Sequence, residues 1–386
     1  NLSEGRNVCH THLRNYSRRN QKEFLKLSNF VEKIRNSSDF KAVVTLGTGG
    51  SELGPSMVVK ALAGFHDGPM IHFVGNADPQ SLYDVLKLCD PKSTLFVVVS
   101  KSFKTSETIA NANLVRRWLD ENGIRANDVM VAVTANAETA SSWGVKKNQI
   151  FSFDSGVGGR YSLWSAVGLP AMIAVGNDVF CALLDGAASM DRHFLNTPLE
   201  KNLPVIMGLL RIWHRNYLGK MSYGVIPYDQ RLLLFPEWVR QLEMESNGKS
   251  VDCHGKVVST LTGPLIWGGV GTSAQHSFFQ WLHQSTDIVP IDILIALKSA
   301  TLPKKSIFQE NYRNLVINAL AQSEALAVGS INEDEPHLNF HGNRPSILIC
   351  WNKTTPYALG RVLSLYEHIT VTSGFLWGIN SFDQWG

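Results

Sequence analysis

The sequence has no apolar run approaching the length of a membrane span, no CxxC pair and almost no net charge. The first absence excludes a hydrophobic spanning helix as the organising element. Five cysteines (Cys9, Cys89, Cys181, Cys253 and Cys350) are odd in number and widely spaced. That pattern argues against a disulfide framework or a zinc site and fits a reducing compartment, so a cytoplasmic location is expected. With 36 basic against 33 acidic residues the formal charge is +3, too small to suggest a nucleic-acid or membrane partner. The densest basic group (Arg14, Arg18, Arg19, Lys22 and Lys26) has helical spacing and is expected to be a solvated helix face. Nothing like a signal peptide opens the residues in hand, and neither a short-period repeat nor a low-complexity segment is present.

What is there is the composition of a globular chain: 386 residues, 44% hydrophobic and 18% charged, with 10 Trp and 18 Phe to bury. The length suggests two or three domains. After a polar stretch over residues 1–40, short β-rich runs alternate with helical ones. Strands are expected at Ala42–Leu46, Met70–Val74, Thr94–Val99, Val129–Thr134 and Gln149–Phe153, with helices at Ser56–Ala63, Ser81–Leu88 and Glu107–Glu121. Such alternation implies right-handed βαβ units on a parallel sheet, with ligands at the carboxyl ends of the strands. Residues 178–220 read as helical. A second alternation follows, with strands expected at Tyr223–Ile226, Pro264–Trp267, Ile288–Ile291 and Ser346–Cys350. Its helices are expected at Leu232–Leu242, Thr272–His283 and Tyr312–Val328, and a surface loop at Asn332–Glu335.

Five segments carry chemistry. Gly47–Pro55 (GTGGSELGP) lies between a strand and a helix, where glycines admit a ligand to the backbone and the helix start offers amides to an anion. It is neither a dinucleotide fingerprint, which would need Gly where Glu52 stands, nor a P-loop, which would need Lys where Pro55 stands. Ser100–Thr108 (SKSFKTSET) gathers hydroxyls and an ammonium after the most apolar strand, a set that can hold a phosphate monoester; its Ser and Thr could equally be helix caps. Ser155–Ser162 holds Arg160 among glycines, where it could stabilise a developing oxyanion or pair with a surface carboxylate. In Gln241–Lys249 a helix is expected to end near Leu242. Glu243 and Glu245 are two apart, so only one of them can face a site, where it could act as a base. Trp267–His276 leads from strand to helix and places His276 in the first turns of that helix, with His283 two turns on. Metal ligation by the pair is unsupported.

Together these segments resemble the glucose-6-phosphate (phosphoglucose) isomerase family. The resemblance extends to VGGRYSLWSAVGL at Val157–Leu169, MESNGK at Met244–Lys249, GTSAQH at Gly271–His276, GNRPS at Gly342–Ser346, NSFDQWG at Asn380–Gly386, and the opening Leu2–Arg6. It implies an α/β fold of two sugar-isomerase (SIS-type) αβα sandwich domains with parallel sheets. The expected boundaries are an N-terminal segment over 1–34, a first domain over 35–185 and a second over 186–386 with bridging helices. It further implies interconversion of glucose 6-phosphate and fructose 6-phosphate by ring opening and enediol proton transfer, with no cofactor and no metal. Gly50, Ser51, Ser100, Lys101, Ser102 and Thr105 would bind the sugar phosphate, and Gln241 and Gln384 would line the pocket. Glu245 would be the base, Arg160 the enediolate stabiliser and His276 the ring-opening group, donated across the interface of a homodimer. The family usually extends beyond both ends, including a C-terminal lysine implicated in ring opening, so the ends are expected to be truncations. The family usually has Asp at Glu52 and Thr at Ser102 and Lys104. A non-catalytic sugar-phosphate-binding protein of the same fold is the alternative.

Overall fold

Short apolar runs form the strands; Ala42–Leu46, Thr94–Val99 and Met130–Thr134 are buried throughout, because residues covered on both faces need no polar alternation. The computed structural model describes residues 3–15, 19 and 21–384. Leu2, Arg18 and the Trp385-Gly386 end of the last motif lie outside the described residues. The chain divides into two compact units, 1–188 and 189–386.

In the first unit the strands are β1 (Ala42–Leu46), β2 (Met70–Val74), β3 (Thr94–Val99), β4 (Met130–Thr134) and β5 (Ile150–Ser152). They form a parallel sheet in the order β2-β1-β3-β4-β5. Helix α1 (Lys22–Asn36) precedes the sheet; the crossovers that parallel neighbours require are supplied by α2 (Leu53–Ala61), α3 (Pro79–Leu86), α4 (Ser106–Glu121), α5 (Ala126–Val129) and α6 (Ala137–Trp143), and α7 (Leu169–Val175) follows the last strand. Val115 and Leu119 of α4 pack with Phe96 and Val98 of β3 in one buried cluster. Each such side chain contributes roughly 1.5–3 kcal/mol on burial.

Helix α8 (Asn177–Asn196) runs through the boundary, and α9 (Leu203–Ile212) follows. The second unit has β6 (Ser222–Pro227), α10 (Phe235–Asn247), β7 (Leu265–Gly268), α11 (Gly271–Gln275), α12 (Phe279–Gln284), β8 (Ile291–Lys298), α13 (Ile307–Val328), β9 (Ser346–Lys353) and α14 (Pro356–Leu376). Its sheet is also parallel, in the order β7-β6-β8-β9. Among the described residues no helix is long and apolar enough to cross a membrane.

Four sequence expectations need correction. The strand expected at Ile288–Ile291 begins where that run ends, because Pro290 has no N–H for a ladder and the paired residues start at Ile291. The helix expected to stop at Leu242 continues to Asn247, so Glu243 and Glu245 lie inside it. The helix expected over Thr272–His283 is two short helices, broken at His276–Phe278. The basic group is solvated only in part: Lys22 and Lys26 are exposed on α1, but Arg14 is fully buried with its guanidinium over the Trp164 ring, and Arg19 bonds Asp185 and the Cys181 carbonyl. Lys26 donates to the carbonyl of Ile150.

Candidate active site

The first sheet reverses its strand order between β1 and β3, and in such sheets ligands bind at the carboxyl ends of the strands flanking that point. The GTGGSELGP turn leaves β1 and the SKSFKTSET turn leaves β3, so both phosphate-type segments meet there. Gly49 adopts φ +57°, a conformation that suits glycine. Gly50 is demanded by space: a Cβ there would lie 2.2 Å from the carbonyl carbon of Gly159. This close approach seats the VGGRYS segment directly on the first turn, and Ser162 Oγ donates to the Gly50 carbonyl at 3.2 Å. Three segments that are far apart in sequence thus converge within one unit.

Ser100 is buried and its hydroxyl is 3.0 Å from that of Thr105. Phe103 takes φ +53°, uncommon for a residue with a Cβ; its buried ring meets Trp143 edge-on at 5.8 Å. This tight reversal leaves Ser102 exposed and accepting from the Lys104 amide. Lys101 is half-buried, and its ammonium titrates below the usual lysine range. Burial is the main cause, reinforced by the charges of Arg6 and Arg160 and opposed by Glu4 and Asp154. Arg160 is itself 3% exposed. The result is a cationic, hydroxyl-rich corner suited to an anion. Arg6, which donates to the Ser155 carbonyl and pairs with Glu4, belongs to this corner and had no assigned role in the sequence. Ser51 is half-buried beside it.

In the second unit the two glutamates of α10 have separate fates. Glu243 is fully buried: its carboxylate takes Arg211 Nη1 at 2.7 Å, Asn247 Nδ2 at 2.8 Å and the Thr370 hydroxyl at 2.5 Å. Arg211 is also fully buried and feels the charge of Asp292, whose carboxylate accepts from Tyr223 and Tyr366. Burial raises both tyrosine hydroxyls well above their usual range and pushes the Asp292 carboxyl up. This network could not be read from the sequence, because Arg211 is 32 residues from Glu243. Glu245 projects from a different face and is half-exposed, one turn from the half-exposed Gln241.

The C-terminal segment returns to the same end of α10. Lys249 donates to the carbonyls of Asn380 and Asp383 and pairs with the Asp383 carboxylate. Gln384, at the end of that segment, is exposed.

His276 follows β7 and a short helix. The amide of Gly263, just before β7, donates to the carbonyl of Asn247, so α10 ends near the amino end of β7. A Cβ on Gly268, at the other end of β7, would lie 3.1 Å from Pro236 at the start of α10. Helix α11 starts at that carboxyl end, about 13 Å along α10 from Glu245 at 1.5 Å per residue. Gly271 and Gln275 seat α11 on Tyr228: a Cβ at Gly271 would strike the ring at 2.3 Å, and Gln275 donates to the hydroxyl at 2.8 Å. His276 caps α11 and is exposed. His283 is buried and bonded to Gln322, so the two histidines share no ligand geometry. Among the described residues no cluster of three or more metal-binding side chains occurs.

The chain is 43% identical to the glucose-6-phosphate isomerase of Chelativorans sp. over an alignment covering all of this chain and 77% of that protein. The corresponding protein of Xanthobacter autotrophicus gives the same identity and coverage. The crystal structure of a glucose-6-phosphate isomerase from Chlamydia trachomatis superposes with a TM-score of 0.90 at 38% identity, covering 97% of this chain and 75% of that one. The phosphoglucose isomerase family matches residues 1–386, and the chain belongs to that family.

Proposed function

We propose that this chain interconverts glucose 6-phosphate and fructose 6-phosphate, with Glu245 as the base. The observation that carries the assignment is the division between the two α10 carboxylates: Glu243 is fully buried and committed to Arg211, whereas Glu245 is half-buried on another face beside Gln241. Gly50, Ser51, Ser100, Lys101, Ser102 and Thr105 hold the phosphate through backbone approach, hydroxyls and charge. Gln241 and Gln384 line the pocket. His276 moves a proton between the ring oxygen and the C1 hydroxyl to open the ring. Glu245 then takes the proton from C2 of the open aldose; the C–H electron pair becomes the C1=C2 bond and negative charge moves to O1. Arg160 stabilises that charge; the O2 hydroxyl proton passes to O1 as Glu245 returns its proton to C1, leaving the C2 carbonyl of the ketose. The reverse sequence starts at C1.

The family resemblance favours a homodimer in which His276 serves the site of the partner copy. The even charge balance and free cysteines suit a cytoplasmic location.

A coupled dehydrogenase assay on fructose 6-phosphate tests the role of Glu245. Glu245→Gln is expected to cut kcat roughly 10²–10⁴-fold, the usual contribution of a positioned acid–base group. Calorimetric binding of an unreactive five-carbon sugar-acid phosphate should change only a few-fold. Undiminished turnover in the variant would overturn the assignment.

A further inference from the structure

We propose that Lys249, together with Asn247, is a positioning residue that clamps the segment 380–384 onto the end of the helix carrying Glu245 and so sets Gln384 in the pocket. The inference rests on the isomerase reading above and extends it to residues with no assigned role.

The clamp is a built seat. Lys249 has a side chain 18% exposed, and its ammonium satisfies two backbone carbonyls, Asn380 and Asp383, together with the Asp383 carboxylate. An ammonium has three donors and no acceptor, so three acceptors converging on it from one five-residue stretch is what fixing that stretch requires. Asn247 supplies the second point: its side-chain oxygen accepts from the Ser381 hydroxyl at 2.7 Å, while its amide nitrogen donates to Glu243 at 2.8 Å and to the Thr370 carbonyl at 2.9 Å. Ser381 is 1% exposed and Asp383 7% exposed. The third point is a vacancy in α14: a Cβ on Gly374 would lie 1.8 Å from Ser381 Oγ, so only glycine leaves room for the segment to pack. The Ile379 amide closes the turn by donating to the Gly374 carbonyl at 3.0 Å.

The consequence is mechanical. Glu245, Asn247 and Lys249 lie within five consecutive residues, so the turn that carries the base also fixes the segment carrying Gln384. Asn247 further ties both to the buried Arg211–Glu243 pair. Loosening Lys249 should therefore release Gln384 while leaving Glu245 in its helix, weakening substrate binding more than the chemical step.

Lys249→Met, Lys249→Arg and Asp383→Asn in the full chain test this, with Gln384→Ala for a double-mutant cycle. Lys249→Met is expected to raise KM for fructose 6-phosphate about tenfold with kcat within about threefold of the parent. It should also speed amide hydrogen exchange over 380–384. Lys249→Arg should restore most of both, and Asp383→Asn should give a smaller rise because the carbonyl acceptors remain. Lys249→Met added to Gln384→Ala should have little further effect, as expected when one residue acts through the other. An unchanged KM, unchanged exchange, or strictly additive effects with Gln384→Ala would overturn the clamp. Failure of the isomerase reading would show separately, as absence of turnover in the unsubstituted chain, and the clamp would then stand or fall on exchange over 380–384.

Discussion

Lys101 reaches the phosphate corner with its charged form already disfavoured, by burial first and then by Arg6 and Arg160. A bound phosphate dianion supplies the counter-charge that the free site lacks, so binding draws the Lys101 pKa back up and takes up protons. The sign follows: affinity is full while the ammonium is protonated and falls as pH rises through the lowered pKa of the free site, below the ordinary lysine range. Calorimetric titration with inorganic phosphate across the alkaline range should show this fall, and Lys101→Gln should flatten it while weakening binding throughout. A pH-independent affinity on the alkaline side would mean that the phosphate does not meet Lys101. The type of residue at this position was legible in the sequence, because an ammonium among hydroxyls after an apolar strand has few other uses. Its depressed pKa was not legible, since Arg6 and Arg160 are distant in sequence.

Helix α10 shows what an element adds to its residues. Its buried ionic contact fixes how the helix is rotated, so that Glu243 faces Arg211 while Glu245 lies on another face beside Gln241. Removing one partner of such a pair strands a buried charge, which costs about 3–5 kcal/mol. Arg211→Met should therefore lower stability by about that amount in urea unfolding, because Glu243 and Asp292 lose their common cation. A loss under about 1 kcal/mol would show that the network is dispensable. The limits of the sequence are visible in the same elements. β3 was legible to the residue because a run buried on both faces announces itself, as in Thr94–Val99. β8 was misplaced because the apolar residues on either side of Pro290 look alike until pairing is known. Helix α14, buried along most of its length, carries no polar face to give it a helical period and went unread. The break at His276–Phe278 has no glycine or proline to mark it in the sequence.

At the scale of the whole chain, the two units repeat one design: each sheet places its second strand outside its first and its third strand on the other side. The chemistry is not repeated. The first unit carries the hydroxyls, Lys101 and Arg160; the second carries the proposed base. Because the phosphate does not react, its contacts can only raise the rate by using binding energy to hold C1 and C2 in place. That makes the contributions of the two units separable. Ser51→Ala removes one hydrogen bond to a charged group, worth about 1.5–3 kcal/mol, so kcat/KM for fructose 6-phosphate should fall roughly 10–100-fold. The same variant should leave the much slower turnover of unphosphorylated fructose unchanged, since fructose offers Ser51 nothing to bind. Glu245→Gln should cut both reactions by roughly the same 10²–10⁴-fold, because the proton on carbon must move in either sugar. Parallel assays of the two sugars on the two variants decide the matter: equal loss of fructose turnover in Ser51→Ala would show that the first turn shapes the reacting centre as well as holding the phosphate.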